Sequence, residues 1–407
     1  MDRPILYLDH NATTAVAPEV RDAMWPYLGD EGFNPSSPYR PAQKVRAAVD
    51  RARGQVAQLL GCDPEELTFT SGATESCNTV ILGAARSAGG STGAHLVTVA
   101  TEHHAVLNAC KAAQSFGSAL SILPVDRQGR ISPDAIRSAF RPETRLVSVM
   151  LANNETGVIL DVAAIGRMCR ERGVLFHCDA TAAIGKLPVH PHKYFCDFLS
   201  LSGHKFHGPK GVGVLFARAG VKVVPLQFGG EQEDGRRPGT ENVPGIVGLG
   251  AAADIARRSI DTGVPRSIER LRDLLRRAIC AQLPSVEFLT DLPVAGGLPG
   301  LCNTLSIRVP GVRNDELVVC LDREGICLST GSACATGASL PSHVIRAMGH
   351  SDEEAREVVR VSIGEEFIES DIDRFVPVFG RAARQLAGGA YLRERVVVPA
   401  DGALSEA

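Results

Sequence analysis

The chain has 407 residues, of which 44% are hydrophobic and 22% charged, so it can bury the cores of more than one domain. Its 43 lysine and arginine residues nearly balance 46 aspartate and glutamate residues, and no block of like charge stands out, which argues against direct binding of nucleic acid. No apolar run approaches the ~18 residues of a membrane span, and Asp2 and Arg3 leave no room for a secretory signal.

Eleven cysteines are scattered through the chain without a C-x-x-C pair. This pattern suits a reducing compartment better than a disulfide framework or a zinc ribbon. We therefore expect a cytosolic protein that has no metal site, no membrane segment and at most one or two reactive thiols.

The segment 41–60 places valine and leucine at helical spacing, between a proline suited to a first turn and a glycine suited to a C-terminal cap. It predicts an amphipathic helix. Short valine- and leucine-rich runs then alternate with helical stretches, which predicts a mostly parallel sheet covered by helices. We predict six strands in this part of the chain, at 67–70, 95–101, 145–151, 174–179, 198–202 and 212–217.

The amino-acid composition changes near residue 262, where proline and glycine become frequent. We predict that a second, smaller domain begins there. Its expected elements are a charged helix at 268–283, a strand at 303–309, a helix near 314–323 and a C-terminal helix near 370–387.

Polar, glycine-rich clusters follow several of the predicted strands: SGATES, TEHHAVL, NNETG, DATAA and SGHKFHGPKG. In an open α/β sheet, ligands bind at the carboxyl ends of the strands. We therefore expect one shared site that collects all five clusters.

Lys205 follows an apolar strand and precedes a turn rich in glycine and proline. A surface lysine is the alternative, since most lysines are exposed. Asp179 ends the run VLFHCD, where a carboxylate is costly unless a cation meets it, although a helix cap is the alternative there. A lysine that forms a Schiff base and a carboxylate that keeps a pyridine nitrogen protonated are the two groups that a pyridoxal phosphate enzyme needs.

The stretch TFTSGATES predicts a strand, a glycine turn and a helix start, where the backbone N–H groups of residues 72–74 would form a seat for a phosphate. Any Ser-Gly helix cap would look similar. His103 in TEHHAVL is suited to stacking on an aromatic ring, with a structural histidine as the alternative. Asn153 and Asn154 have turn formation as their alternative role.

In order along residues 6–375, the chain resembles the NifS/IscS group of cysteine desulfurases and their relative selenocysteine lyase, which are class V aminotransferase-like enzymes. The motifs that carry the resemblance are YLDHNATT, NPSSPY, TSGATES, TEHHAVL, MLANNETG, DATAAIGKLPV, SGHKFHGPKGVG, RRPGTEN and STGSACATG. The resemblance implies an α/β fold, that of a fold-type I PLP-dependent transferase. Residues 15–261 would form a large domain with a mostly parallel seven-stranded sheet flanked by helices. Residues 1–14 and 262–388 would form a smaller α+β domain, and residues 389–407 a tail.

The resemblance also implies a role for each residue around the cofactor, pyridoxal 5'-phosphate. Lys205 would hold its aldehyde as a Schiff base, Asp179 would pair with the pyridine nitrogen, and His103 would stack on the ring and act as an acid or base. The residues implied for the phosphate are Ala73, Thr74, Ser202 and His204.

Substrate binding and sulfur transfer are assigned in the same way. Asn154 would contact the ring oxygen region, and Arg360 would bind the substrate carboxylate, for which its planar fork is suited. Thr240 would reach the phosphate of a partner chain, so a homodimer is implied. Cys334 in STGSACATG resembles the nucleophile, and the nearby Cys327 is its competitor.

The implied activity is removal of sulfur from L-cysteine, which gives L-alanine and a persulfide on Cys334. The persulfide would pass to a sulfur-acceptor protein or scaffold for iron–sulfur assembly, tRNA thiolation or another thiolation. The alternatives are a selenocysteine lyase, a class V aminotransferase for which Cys334 is dispensable, and a sulfur-transfer scaffold that has lost catalysis.

Four positions depart from the family pattern. Ala182 stands where the family usually has a glutamine, which removes a hydrogen bond to the phenolic oxygen of the cofactor. Tyr39 and Pro41 replace a histidine and a glycine. Glu365 replaces an arginine, which predicts a reversed charge near the pocket for the substrate carboxylate.

Overall fold

The computed structural model describes residues 4–87, 93–290, 300–331 and 340–388. The strands of these ranges are β1 (Leu6–Tyr7), β2 (Leu67–Thr70), β3 (His95–Val99), β4 (Ala119–Leu123), β5 (Thr144–Ser148), β6 (Leu175–Asp179), β7 (Phe198–Ser202), β8 (Gly213–Ala217), β9 (Glu287–Phe288), β10 (Thr304–Arg308), β11 (Ile326–Cys327) and β12 (Val358–Ser362). The helices are α1 (Pro18–Met24), α2 (Arg40–Leu60), α3 (Ala73–Ser87), α4 (His104–Ser115), α5 (Pro133–Ser138), α6 (Val162–Glu171), α7 (Val243–Asp261), α8 (Val264–Gln282), α9 (Asn314–Asp322), α10 (His343–Ala347), α11 (Asp352–Ala355) and α12 (Glu369–Leu386).

Among the described residues, seven strands form the main sheet in the order β2-β8-β7-β6-β5-β3-β4. The strands from β7 to β4 are parallel to their neighbours, whereas β8 runs antiparallel to both β7 and β2. Strands β3, β7 and β8 are buried along their whole length, which is why they read as continuous apolar runs. This order places the carboxyl ends of five strands on the same side of the sheet, which we call its carboxyl edge; the strands are β2, β3, β5, β6 and β7.

Helices cover both faces of this sheet. Val97 and Val99 of β3 pack in one core with α2, α6 and α7, whereas Leu96 packs with α3 and α4 on the other face. Local signals set the helix ends. α2 has Pro41 in its first turn, and Gly61 caps its C-terminal end. The φ of Gly61 is 63°, a left-handed conformation that glycine adopts without strain.

The C-terminal part of the chain forms a second core with the first strand. β10 pairs antiparallel with β9 and β12, and β1 pairs in parallel with β11. Leu6 and Leu8 are buried in one cluster with Leu275 of α8, Ile307 of β10 and Phe375 of α12. This shared core is the argument for assigning residues 1–14 to the smaller domain, and the domain boundaries stay a proposal. The predicted tail, 389–407, lies outside the described residues.

The predicted fold class is confirmed, since the sheet is mostly parallel, has seven strands and is flanked by helices. The six predicted strands omitted β4, because it lies at the edge of the sheet, is mostly half-buried and carries a serine in its middle. In the described ranges, no helix combines the length and the apolarity that a bilayer crossing would need.

Candidate active site

A cavity of about 440 Å³ opens at the carboxyl edge of the main sheet, where the N-terminal segment and β12 meet the loops that follow β2, β3, β5, β6 and β7. Nine of the predicted site residues line it: Ala73, Thr74, His103, Asn154, Asp179, Ser202, His204, Lys205 and Arg360. They meet because parallel strands bring the loops at their carboxyl ends to the same edge.

Lys205 ends a single 3-10 turn, Gly203–Lys205, that follows β7 directly. Its Nζ donates hydrogen bonds to the backbone oxygen of Asn11 at 2.7 Å and to that of Ala12 at 2.9 Å. The half-buried side chain therefore points across the cavity towards the N-terminal segment. This placement differs from that of an ordinary surface lysine.

Asp179 is the last residue of β6 and is 5% exposed. Its Oδ1 accepts a hydrogen bond from the backbone N–H of Thr181 at 2.9 Å, so one oxygen does cap the turn that follows the strand. The other oxygen, Oδ2, lies 4.0 Å from the Sγ of Cys77, a weak donor. One face of the carboxylate thus remains able to meet a cation in the cavity.

His103 caps α4, because its Nδ1 accepts a hydrogen bond from the backbone N–H of Ala105 at 3.1 Å. Burial lowers the pKa of His103, so the ring is neutral at pH 7. A neutral ring that accepts at Nδ1 carries its proton at Nε2. His103 thus combines the predicted place in the cavity with the structural role that was its alternative.

The phosphate end of the predicted site is the start of α3. Ala73 is the first residue of this helix and follows Gly72, whose φ of 149° is a conformation that other residues rarely adopt. A Cβ on Gly72 would lie 3.5 Å from the Oγ of Ser202, so the glycine turn brings this hydroxyl close to the helix start. The first amides of a helix have no partners within it, and together with the dipole they favour an anion.

His204 and Lys210 also line the cavity. The Nδ1 of His204 lies 3.1 Å from the Oγ1 of Thr13. Burial, followed by the positive charges of Lys205 and Lys210, lowers the pKa of His204 to about 4, so its imidazole is neutral at pH 7. Lys210 was not predicted as a site residue, although it stands in the motif HGPKG.

Arg360 on β12 is 1% exposed and makes contacts with both of its terminal nitrogens. Nη2 lies 2.6 Å from Oδ1 of Asp9, and Nη1 donates to the backbone oxygens of Asn154 at 2.9 Å and Gly331 at 3.0 Å. Its buried Nε has no hydrogen-bond partner in the described part of the chain. Asp9 thus supplies the counter-charge of Arg360, and the Nε–H of the guanidinium is left without a partner among the described residues.

Thr240 is exposed and does not line the main cavity. Its neighbours Gly239 and Glu241 line a smaller cavity of about 40 Å³, together with Ser71 and Gly211, which also line the main cavity. The predicted contact of Thr240 with the phosphate of a partner chain stays a prediction.

Cys334 lies outside the described residues. Its competitor Cys327 is half-buried at the end of β11, pairs with Tyr7 of β1 and does not line the main cavity. Burial raises the pKa of the Cys327 thiol, so it is poorly suited to act as a thiolate. Within the described ranges, no group of three or more histidine, cysteine, aspartate or glutamate side chains is arranged to hold a metal ion.

Several cavity residues were not predicted from the sequence as site residues. They are Asn11, Thr13, His104, Glu155, Thr181, Lys210 and His343. His104 stands beside His103 in the motif, but the ring of its neighbour His343, 4.3 Å away between centroids, comes from a distant part of the chain. Burial raises the pKa of Glu155, and its Oε2 accepts a hydrogen bond from the Oγ of Ser342 at 2.6 Å.

Comparison with known proteins identifies the family of this chain. The family model for Aminotransferase class-V matches residues 6–375. The chain belongs to this family. A cysteine desulfurase from Trichormus azollae is 42% identical over 382 residues, which cover 94% of each chain. Cysteine desulfurase IscS from Methanosarcina thermophila is 41% identical over 385 residues, which cover 94% of this chain and 92% of the relative.

A solved structure described as a NifS-like protein matches with a TM-score of 0.86 and 34% identity, and the match covers 94% of this chain and 100% of that chain. The resemblance to the NifS/IscS group that the motifs predicted is therefore confirmed. The similarity spans both cores of this class-V chain.

The four departures from the family pattern have different surroundings in this class-V chain. Ala182 lines the cavity, where its methyl group offers no hydrogen bond. Glu365 does not line it, and its Oε1 accepts a hydrogen bond from the Oγ of Ser259 at 2.9 Å. Tyr39 is the exposed N-cap residue of α2, and Pro41 lies in the first turn of that helix. Of the four, Ala182 is the one in contact with the cavity.

Proposed function

We propose that this chain is a pyridoxal phosphate-dependent cysteine desulfurase, which converts L-cysteine to L-alanine and keeps the sulfur as a persulfide on Cys334. The observation that carries the proposal is one cavity that contains a lysine at the end of β7, a carboxylate at the end of β6 and a buried arginine on β12. Relatives that are about 40% identical over nearly the whole chain are cysteine desulfurases, which supports the same activity.

The residues around the cavity fit the cofactor. The Oγ1 of Thr181, next to Asp179, is buried without a hydrogen-bond partner in the described part of the chain, as expected of a group that meets a ligand. The start of α3 offers amides to a phosphate, with Ser202 and His204 beside them. When bound, pyridoxal phosphate supplies a protonated ring that stores the electron pair of a bond broken at the substrate α-carbon.

Three residues would hold that cofactor and serve its chemistry. Asp179 would place its carboxylate beside the ring nitrogen and keep that nitrogen protonated. Lys205 would hold the aldehyde and, once released, would take the proton from the α-carbon of the substrate at its Nζ. The neutral ring of His103 would stack on the cofactor and carry a proton at Nε2.

Arg360 would bind the carboxylate of L-cysteine. The unpartnered Nε and the planar guanidinium suit a carboxylate, and burial strengthens the interaction. This contact would fix the α-carbon between the arginine and the amine of Lys205. A fixed position matters because proton transfer requires the reacting groups to lie within hydrogen-bond reach.

Cys334 would complete the reaction as nucleophile. Its thiolate would attack the sulfur of the substrate, the carbon–sulfur bond would break, and the products would be L-alanine and Cys334 with one added sulfur. The supporting observations are the motif STGSACATG and the thiol of Cys327, which burial keeps protonated away from the cavity. The persulfide would then pass to a sulfur-acceptor protein or scaffold.

The assembly and location of the enzyme are also proposals. We propose a homodimer in which Thr240 of each chain reaches the phosphate bound by the other, which its exposed position allows. The even balance of charges and the scattered cysteines support an enzyme of the cytosol.

Mass spectrometry after incubation with L-cysteine tests the proposed reaction. One added sulfur is expected on the peptide that contains Cys334, and Cys334→Ser should abolish both this shift and alanine production. Cys327→Ser is the matched control and should retain both. A shift on the Cys327 peptide would reassign the nucleophile, and full alanine production by Cys334→Ser would contradict a persulfide mechanism that uses Cys334. Borohydride treatment should label Lys205, and an unlabelled Lys205 would contradict the use of pyridoxal phosphate.

A further inference from the structure

The N-terminal segment 11–13 lines the cavity and presents two backbone oxygens to the amine of Lys205. The Nζ lies 2.7 Å from the oxygen of Asn11 and 2.9 Å from that of Ala12. Backbone oxygens accept hydrogen bonds but have no proton to give, so two of them on one amine favour its ammonium form. The segment therefore contains a place where a charged Lys205 side chain can rest inside the protein.

The side chain of Asn11 fixes the position of these oxygens. It is 2% exposed, and its Nδ2 donates to the Oγ1 of Thr304 at 2.8 Å and to the backbone oxygen of Asn154 at 3.1 Å. Its Oδ1 accepts a hydrogen bond from the Nδ2 of Asn303 at 3.1 Å. Both hydrogens of the amide and one lone pair of its oxygen are thus used, which leaves a single orientation for the side chain.

The side-chain amide of Asn11 also shares a hydrogen-bond acceptor with Arg360. The backbone oxygen of Asn154 accepts from the Nδ2 of Asn11 and also from the Nη1 of Arg360, at 3.1 Å and 2.9 Å. A displacement of Asn11 would therefore move the resting place of the lysine and one support of the arginine together. The arginine would keep its contacts with Asp9 and Gly331.

We propose that Asn11 is a positioning residue, which holds the backbone oxygens of residues 11 and 12 as the docking place for the ammonium of Lys205 when this lysine is released from the cofactor. The proposal rests on the proposed function and deepens it. A buried ammonium is costly unless oxygens surround it. A prepared docking place stabilises the protonated lysine, and this makes the amine a more effective acceptor of the substrate proton.

The reactivity of Lys205 in the full chain freed of cofactor tests the docking place directly. An amine-selective acylating reagent is applied at a fixed pH, and mass spectrometry follows the labelled Lys205 peptide. Loss of one charge-assisted hydrogen bond is worth about a tenfold change. We therefore expect Lys205 to react about tenfold faster in Asn11→Ala. Asn11→Leu keeps roughly the size of the side chain, removes its donors and adds no charge, and it should react faster in the same direction.

Asn314→Ala is the matched control. Asn314 is also a buried asparagine that donates to a backbone oxygen, that of Val358, but it lies away from the cavity. It should lose stability to a similar extent and leave the labelling rate of Lys205 unchanged. Equal labelling rates in wild type and both Asn11 variants would overturn the proposal, as would an equally large acceleration in Asn314→Ala.

Steady-state kinetics of the cofactor-loaded enzyme separate positioning from general support of the fold. We expect Asn11→Ala to lower kcat for L-cysteine about tenfold and to change KM less than twofold, since Arg360 keeps its other contacts. A raised KM with an unchanged kcat would contradict a role in docking the lysine. The labelling experiment needs no turnover, so its result stands even if the protein proves inactive on L-cysteine.

Discussion

Asp9→Asn is the most informative substitution near the cavity, because it removes the charge that faces Arg360 and preserves shape. Asp9 lies 2.6 Å from Arg360, and the two side chains are 18% and 1% exposed. The amide oxygen of asparagine can still accept a hydrogen bond from Nη2. What disappears is the negative charge that balances the buried guanidinium.

The contacts set the size of two opposite effects. Removing one partner of a buried ion pair costs about 3–5 kcal/mol, and the retained hydrogen bond and the partial exposure of Asp9 reduce this loss to about 2 kcal/mol of unfolding free energy. The carboxylate of L-cysteine then becomes the counter-charge of Arg360. One more charge-assisted hydrogen bond is worth about 1.5 kcal/mol, so KM for L-cysteine should fall about tenfold.

Urea unfolding measures the first effect, and initial rates of alanine formation at varied L-cysteine concentrations measure the second. Asp315→Asn is the control, since Asp315 pairs with Arg313 at the surface, where the side chains are 39% and 51% exposed. It should change stability by less than about 0.5 kcal/mol and leave KM unaltered. A KM that rises in Asp9→Asn would refute the reasoning, because Asp9 would then support the arginine without competing with the substrate.

Two further predictions concern stability. The hydrogen bond from His10 lowers the pKa of Glu366 from 4.5 to about 2. The contact of Glu366 with His10 therefore stabilises the fold fully above pH 4.5, and this stabilisation is lost as the pH falls towards 2. Because the Glu366 side chain is 63% exposed, Glu366→Gln should lower the unfolding free energy by only about 1 kcal/mol at pH 7. Urea unfolding measures the difference between wild type and variant, and a difference that stays constant from pH 7 to pH 3 would contradict this prediction. A Cβ on Gly166 would overlap the backbone oxygen of Tyr194, so Gly166→Ala should destabilise by about 2–3 kcal/mol. Gly54 in α2 has open space around it, so Gly54→Ala is the control and should stabilise the protein by about 0.5–1 kcal/mol. Thermal unfolding of both variants tests this, and equal shifts of Tm in Gly166→Ala and Gly54→Ala would contradict the packing argument.

Much of the fold could be predicted because its signals are local. Buried parallel strands read as apolar runs, and the polar clusters that follow them mark the edge where ligands bind. Lys205, Asp179 and His103 could be found for this reason, since each stands next to the end of a strand or the start of a helix. The edge strand β4 gave no such signal, because half-exposed positions do not need to be apolar.

The supporting residues of the site could not be predicted in this way. The ion pair of Asp9 and Arg360 joins residues 351 positions apart, and the two donor contacts of Asn11 span 143 and 293 positions. Aspartate and asparagine near the N terminus look like ordinary turn formers until the tertiary structure brings their partners to them. The roles of Cys334 and Thr240 stay predictions that rest on motifs.

The contacts of residues 8–11 with β12 have a consequence for biosynthesis. A ribosome adds about 5–20 residues per second, so roughly 20–70 s separate the emergence of Asp9 from that of Arg360. During that interval the central sheet can already fold, but the cavity lacks the wall that Arg360 and β12 supply. If the proposed function holds, cofactor capture would be a late event, completed only after β12 has left the exit tunnel.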